Sequence, residues 1–178
     1  MGTAENPSPR ELHAGLRLAL AGMLALAVAM GVGRFAFTPI LPMMQQDAGL
    51  SVTEGGWLAS ANYLGYLAGA LSATVIRVQP AAAIAVGLPV IGIATLAMGY
   101  AGGFAAWVAL RMLAGIASAW VLIAVSARGL ELLAPLRRPA LNGVVFAGVG
   151  AGIAAAGLLC IVLMWHGAGS AQAWLASG

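Results

Sequence analysis

The chain has 178 residues, of which 62% are hydrophobic and only 7% charged, whereas a soluble domain is about one quarter charged. With a mean hydropathy of +0.97 and charge-free runs of the ~20 residues that a helix needs to cross the hydrocarbon core, it reads as an integral membrane protein. The net charge of +3 comes from arginines dispersed between apolar segments, which argues against a nucleic-acid face. The absence of period-2 alternation argues against a β-barrel.

In chain order, the pattern predicts a tail at 1–15 followed by spans at 16–43, 56–76, 81–100, 105–125 and 141–165. The expected fold is therefore an all-α, polytopic transmembrane helix bundle of about five helices. The apolar run after Arg10 and Arg17 continues to Pro42 without a polar cleavage region, so a retained first helix is expected rather than a signal peptide. Breaks at "QQDAGLSVTEG", "RVQP", "GYAGG" and "RGLELLAPLRRPALNG" separate the spans. Residues 166–178 are too short to cross and read as an external tail or the start of an incomplete sixth helix. Cys160 lies alone in an apolar run, as a packing residue with no disulfide partner.

With the N-terminus inside, Arg10, Arg17, Arg77, Arg128, Arg137 and Arg138 all fall on the cytoplasmic side, as the positive-inside rule requires. The first external loop carries only Asp47 and Glu54, and Trp57, Trp107 and Trp165 mark the external interface. The lack of lysine and the abundance of Ala and Gly suggest a bacterial genome, and hence a multi-pass protein of the bacterial cytoplasmic (inner) membrane.

Small residues four apart allow close helix approach in lipid. Gly65 and Gly69 in the second span and Gly148 and Gly152 in the fifth are expected packing positions, and Gly115 and Ala119 play that part in the fourth. Pro39, Pro42 and Pro89 free backbone carbonyls that need a partner or a wet cavity.

Arg34 and Arg111 stand apart, since both fall inside predicted spans, at depths of roughly 15 and 9 Å from the external ends. A charge at the bilayer centre costs about 2.5–3.5 kcal/mol on insertion scales and normally faces protein or water. No carboxylate lies within the spans: Glu5, Glu11 and Glu131 fall on one side, and Asp47 and Glu54 on the other. Backbone carbonyls, an anionic ligand or a carboxylate elsewhere must therefore meet the two arginines. Asn62, Tyr63 and Tyr66 are the other polar candidates of the spans; Asn62 and Tyr66, four apart on one helical face, and Thr38, four residues after Arg34, are the remaining pathway candidates. For Asn62 an interhelical hydrogen bond competes with ligand contact, and for Trp120 core packing is the simpler role. His13 and His166 lack ligating neighbours, so no metal or cofactor is expected, and no nucleophile or phosphate-loop motif suggests an enzyme.

The stretch "GVGRFAFTPILPMMQQDAGLS" followed by "GWLASANYLGYLAGAL" resembles the first two helices of the YbfB/YjiJ-type branch of the major facilitator superfamily. "LRMLAGIASA", with Arg111 and Gly115, resembles the fourth helix of that superfamily, and "GVVFAGVGAGIAAAG" resembles the fifth. The resemblance implies an N-terminal half-bundle of an alternating-access transporter, without its last helix and second bundle. In that half Arg34, Thr38, Asn62 and Tyr66 would line the substrate pathway, and Arg111 and Gly115 would serve coupling or structure. Two motifs depart from the superfamily pattern. Ala73 stands where an Asp would follow Gly69, and the fifth helix lacks the antiporter Gly-Pro.

The expected function is secondary transport of a small solute, an anion being one candidate class, with the lipid bilayer as surroundings and a C-terminal transporter half or another membrane protein as partner. The competing reading is a non-transporting remnant or a scaffold that docks through its glycine seams. A homo-oligomer of half-transporters fits less well, because copies in one orientation do not supply six helices per half.

Overall fold

The computed structural model describes residues 8–178, so residues 1–7 of the expected N-terminal tail, Glu5 among them, lie outside the described residues. Helix α1 (Pro9–Leu26) begins seven residues ahead of the expected span because Ser8, Pro9 and Glu11 form a start signal. Glu11 Oε2 accepts from the Ser8 backbone N–H at 2.7 Å, and the Ser8 hydroxyl accepts from the Glu11 N–H at 3.4 Å. This reciprocal pairing satisfies donors that a helix start leaves bare, and Pro9 gives up none that was needed.

The helix then widens into a π-helical segment, Ala27–Phe35, and resumes as α2 (Phe37–Asp47). A second Ser–Glu box, Ser51 with Glu54, starts α3 (Val52–Val75). Next come α4 (Pro80–Tyr100) and α5 (Phe104–Leu133). A short 3₁₀ turn (Ala134–Leu136) leads to α6 (Pro139–Trp165) and finally α7 (Ser170–Ser177). Among the described residues there is no β-strand.

Four helical stretches are long and apolar enough to cross a membrane: Arg10–Asp47, Pro80–Tyr100, Phe104–Leu136 and Pro139–Trp165. Helix α3, expected as the second crossing, has 24 residues, or about 36 Å at the helical rise, but is less apolar than these four. Asn62, Tyr63, Tyr66 and four glycines dilute its hydropathy.

The helices pair in two sets, α3 with α5 and α1 with α6, while α4 packs on α5. Within each set the partners run parallel. Gly65 and Gly69 of α3 face Met112 and Ile116 of α5, and Gly148 and Gly152 of α6 face Met23 and Ala27 on the first helix. A Cβ at any of these four glycines would overlap the backbone opposite it, so both seams are set by direct backbone approach.

Two apolar clusters fill the interior. One gathers Phe37, Met44, Leu58, Cys160 and Trp174, and the other Leu26, Ile91, Val121 and Val145. On α5 the passage between them, from Leu110 to Ala117, begins with Arg111. Helix α7 turns back against α4, with Ala171 at Gly99 and Gly178 at Gly92. Trp174 is fully buried, stacked on Phe37 at 6.3 Å with its indole N–H on Met44 Sδ at 3.4 Å. Trp57 and Trp165, at 63% and 84% exposure, sit on the periphery near helix ends, where an aromatic belt would place them.

Candidate functional site

The site is built on the π segment. A π-helix pairs each carbonyl with the N–H five residues on, whereas an α-helix pairs it four residues on. In the five-residue register the Arg34 carbonyl would need the N–H of residue 39, which is Pro39 and has none. The sequence therefore orphans a carbonyl in the membrane interior, beside the residue that carries a charge there.

Neighbouring helices supply the missing donors. Arg111 on α5 donates through Nη1 to the Gly33 carbonyl at 3.3 Å and through Nη2 to the Arg34 carbonyl at 3.2 Å. Asn62 on α3 donates from Nδ2 to the same Gly33 carbonyl at 3.3 Å and to the Arg111 carbonyl at 2.9 Å. One turn deeper, Ser118 Oγ donates to the Ala29 carbonyl at 2.7 Å. Leaving such a carbonyl unpaired in the interior costs about 1–3 kcal/mol, so these contacts hold the widened helix in place. The planar guanidinium suits the task, because its fork reaches two successive carbonyls while its face lies on the Phe37 ring at 4.7 Å.

Arg111 is thus 3% exposed and committed to backbone, and Asn62, at 2%, is committed as well. Arg34 is different. Its guanidinium carbon lies 4.2 Å from the Tyr66 ring centroid, 5.1 Å from Tyr63 and 5.4 Å from Phe35. Its Nε is buried without a hydrogen-bond partner, as is that of Arg111, but unlike Arg111 it makes no hydrogen bond through its terminal nitrogens either, and among the described residues no carboxylate faces it. Cation–π contact contributes about 0.5–2 kcal/mol depending on desolvation, which offsets part of the cost of the charge and leaves the hydrogen-bonding edge unused.

The other expected site residues fall into place around this pair. Tyr66, half-buried, forms the floor beneath Arg34, whereas Thr38 is exposed on the first turn of α2 and makes no side-chain hydrogen bond among the described residues. Asn62 and Tyr66 share a helix face but serve different arginines. Gly115 lies against the Asn62 carbonyl and the Tyr66 N–H, so α5 approaches α3 where both residues emerge. Gly65 and Gly69 extend that seam, and Gly148 and Gly152 hold the other side of the first helix. Gly31 meets Gly152 backbone to backbone, so the π segment itself rests on α6. Trp120 turns its indole N–H to the Ser72 hydroxyl at 3.0 Å.

Several participants were not singled out from the sequence. Ser118 supplies a carbonyl partner and Asp47 a clasp, whereas Tyr63, a polar candidate of the second span, supplies a ring. Asp47 Oδ1 accepts from the Ser170 hydroxyl at 2.7 Å and Oδ2 from the Ser170 N–H at 2.5 Å, capping α7 from 123 residues away. Pro39 gave the one usable signal, since its missing N–H announced an orphan carbonyl near Arg34. Nothing local announced that α7 would fold back onto Asp47.

No curated protein and no solved structure matches the chain. A family model does, that of the uncharacterised MFS-type transporter YbfB, over residues 26–178. Its match runs from the last residue of α1 through α7 and so contains the π segment, both arginines and both glycine seams. The opening-helix, fourth-helix and fifth-helix motifs all fall within it. By this match, and as a multi-span helical membrane protein, the chain belongs to the YbfB family of major-facilitator-type transporters.

Proposed function

We propose that this bundle is the N-terminal half of a secondary transporter that moves a small anionic solute along a pathway containing Arg34, Tyr66, Thr38 and the Asn62 face of α3. The observation that carries the reading is Arg34 itself, a membrane-depth cation whose guanidinium makes no hydrogen bond and has no acidic neighbour among the described residues. Such a charge normally faces a wet cavity or a counter-ion, and a passing anion is a counter-ion that a transporter provides.

Arg111 and Gly115 enter this reading as structural supports of the pathway rather than as its lining. A proton-coupled cycle would need a titrating carboxylate from outside these spans. In the proposed topology α3 joins the four apolar stretches as the second of five crossings, and the arginine-rich end, with the N-terminus, faces the cytoplasm of a bacterium. A second bundle, or another membrane protein, completes the wall opposite Arg34.

The test is flux in proteoliposomes for a complete transporter that contains this bundle. Arg34→Ala is expected to abolish uptake or efflux while leaving protein in the membrane. Flux at the wild-type rate would contradict the role of Arg34.

A further inference from the structure

We infer that the Arg34 site selects singly charged organic anions with a flat or apolar body, of the monocarboxylate class, over inorganic oxyanions and dianions. The inference rests on the anion-pathway reading above and adds the class of anion. Three features of the site lead to it.

The first is the count of free hydrogen-bonding forks. Of the two arginines at membrane depth, Arg111 is buried and its terminal nitrogens are spent on the Gly33 and Arg34 carbonyls. Only Arg34 can offer a guanidinium fork to a ligand. The second charged group of a dianion would find no second fork to replace its lost water in a low-dielectric region.

The second is the scarcity of donors. Sites for phosphate and sulfate gather several N–H groups, commonly at a helix N-terminus. Arg34 closes the π segment and Tyr63 and Tyr66 lie in the middle of α3, so the site is walled by helix sides and no helix start points into it. Its donors are the open edge of one guanidinium and two phenol hydroxyls, neither of which pairs with another described residue. A carboxylate, with two oxygens that match the guanidinium fork, needs no more.

The third is the wall. Three aromatic rings surround the cation at 4.2–5.4 Å, and Tyr63 keeps 56% of its surface exposed beside it. A ligand whose carboxylate meets Arg34 would lay its body along Tyr63. That surface rewards a planar or apolar group and gives a strongly hydrated inorganic anion nothing in exchange for its lost water.

The test is equilibrium binding rather than flux, on the protein in lipid nanodiscs, read as ligand-induced thermal stabilisation with benzoate, cyclohexanecarboxylate, succinate, phosphate, sulfate and benzamide as probes. Benzoate and cyclohexanecarboxylate are expected to stabilise the wild type and lose at least about tenfold in affinity with Arg34→Gln, the loss of one charge-assisted bidentate pair. Tyr63→Leu, at an exposed position, is expected to weaken benzoate about threefold to tenfold, as for loss of one aromatic contact, while acetate, added as a probe without a body to lay on the ring, changes little.

Phosphate, sulfate or succinate binding as tightly as benzoate, with the same dependence on Arg34, would overturn the class while leaving an anion pathway standing. Benzamide binding as well as benzoate would show that charge is not read and would overturn the inference. Failure of every anion to bind in an Arg34-dependent way would overturn both the class and the pathway reading beneath it.

Discussion

Arg34 and Arg111 are the same residue type, one membrane-depth stretch apart, on two sides of one backbone segment, and the protein treats them oppositely. Arg111 reaches in from α5 and spends its terminal donors on the Gly33 and Arg34 carbonyls. Arg34 leaves that backbone in another direction and meets only aromatic rings. The backbone accounts for the difference. A π segment followed by Pro39 creates acceptors that need a forked donor, and the residue on α5 at that level supplies it. Nothing within the described residues pairs with the Arg34 guanidinium. In the proposed reading one arginine builds the site, and the other supplies its chemistry.

This contrast depends on the helices being close, so the largest effects should come from the seams. Gly115→Leu would drive a side chain into the Asn62 carbonyl and the Tyr66 N–H. Overpacking of this kind costs about 1–3 kcal/mol or more where backbone must move. The expected outcome is loss of folded protein from membranes, checked by size-exclusion profile, whereas Gly143→Ala, with open space around its Cβ position, should leave the profile unchanged.

Next in size, Arg111→Met should leave the Gly33 and Arg34 carbonyls short of donors and lower stability by about 2–4 kcal/mol, since two bonds to a charged donor are lost. Arg111→Lys should recover only part of this, because a point charge cannot fork across two carbonyls. Equal stability of the Lys variant and the wild type would sever the clamp from its geometry.

The Asp47 clasp tests a different region. Asp47→Ala removes both acceptors at the start of α7 and should cost about 1 kcal/mol, the typical worth of a helix cap. A cysteine placed at Ala173, which is fully buried, should then react with maleimide faster than in the Asp47 background. Unchanged labelling would mean that Trp174 alone holds α7 down.

The smallest effect concerns Glu54. Its hydrogen bonds to the Ser51 hydroxyl and backbone hold its carboxyl below the usual glutamate range. A group whose folded pKa is lowered contributes stability above its unfolded pKa and loses it as pH falls through the folded value. Thermal stability should therefore decline slightly below the ordinary glutamate range, and Glu54→Gln should flatten that decline. The carboxylate is fully exposed, so solvent screening keeps the effect minor.

The sequence made the membrane class, the helix order and the close approach at the glycine seams readable, because each follows from composition or from small-residue spacing along one helix. The helix starts at Pro9 and Val52, ahead of the expected span starts at 16 and 56, rest on signals that are equally local, Ser8 with Glu11 and Ser51 with Glu54. The two arginines stood out by the cost of charge in a span, but their division of labour did not. It depends on which carbonyls the π register exposes and on which residue of α5 lies opposite, and both are set by packing between helices 77 residues apart. Asn62 illustrates the same limit. A polar side chain on a helix face reads alike as ligand contact and as interhelical bond until its neighbours are placed.

The asymmetry between the two arginines is tested most directly by the unfolding midpoints of Arg34→Gln and Arg111→Gln, measured side by side with the wild type in the same lipid. The account expects Arg111→Gln to fall clearly, or to fail to fold, while Arg34→Gln stays near the wild type because no hydrogen bond is lost. An equal fall in both, or a larger fall for Arg34→Gln, would contradict the assignment of one arginine to structure and the other to function.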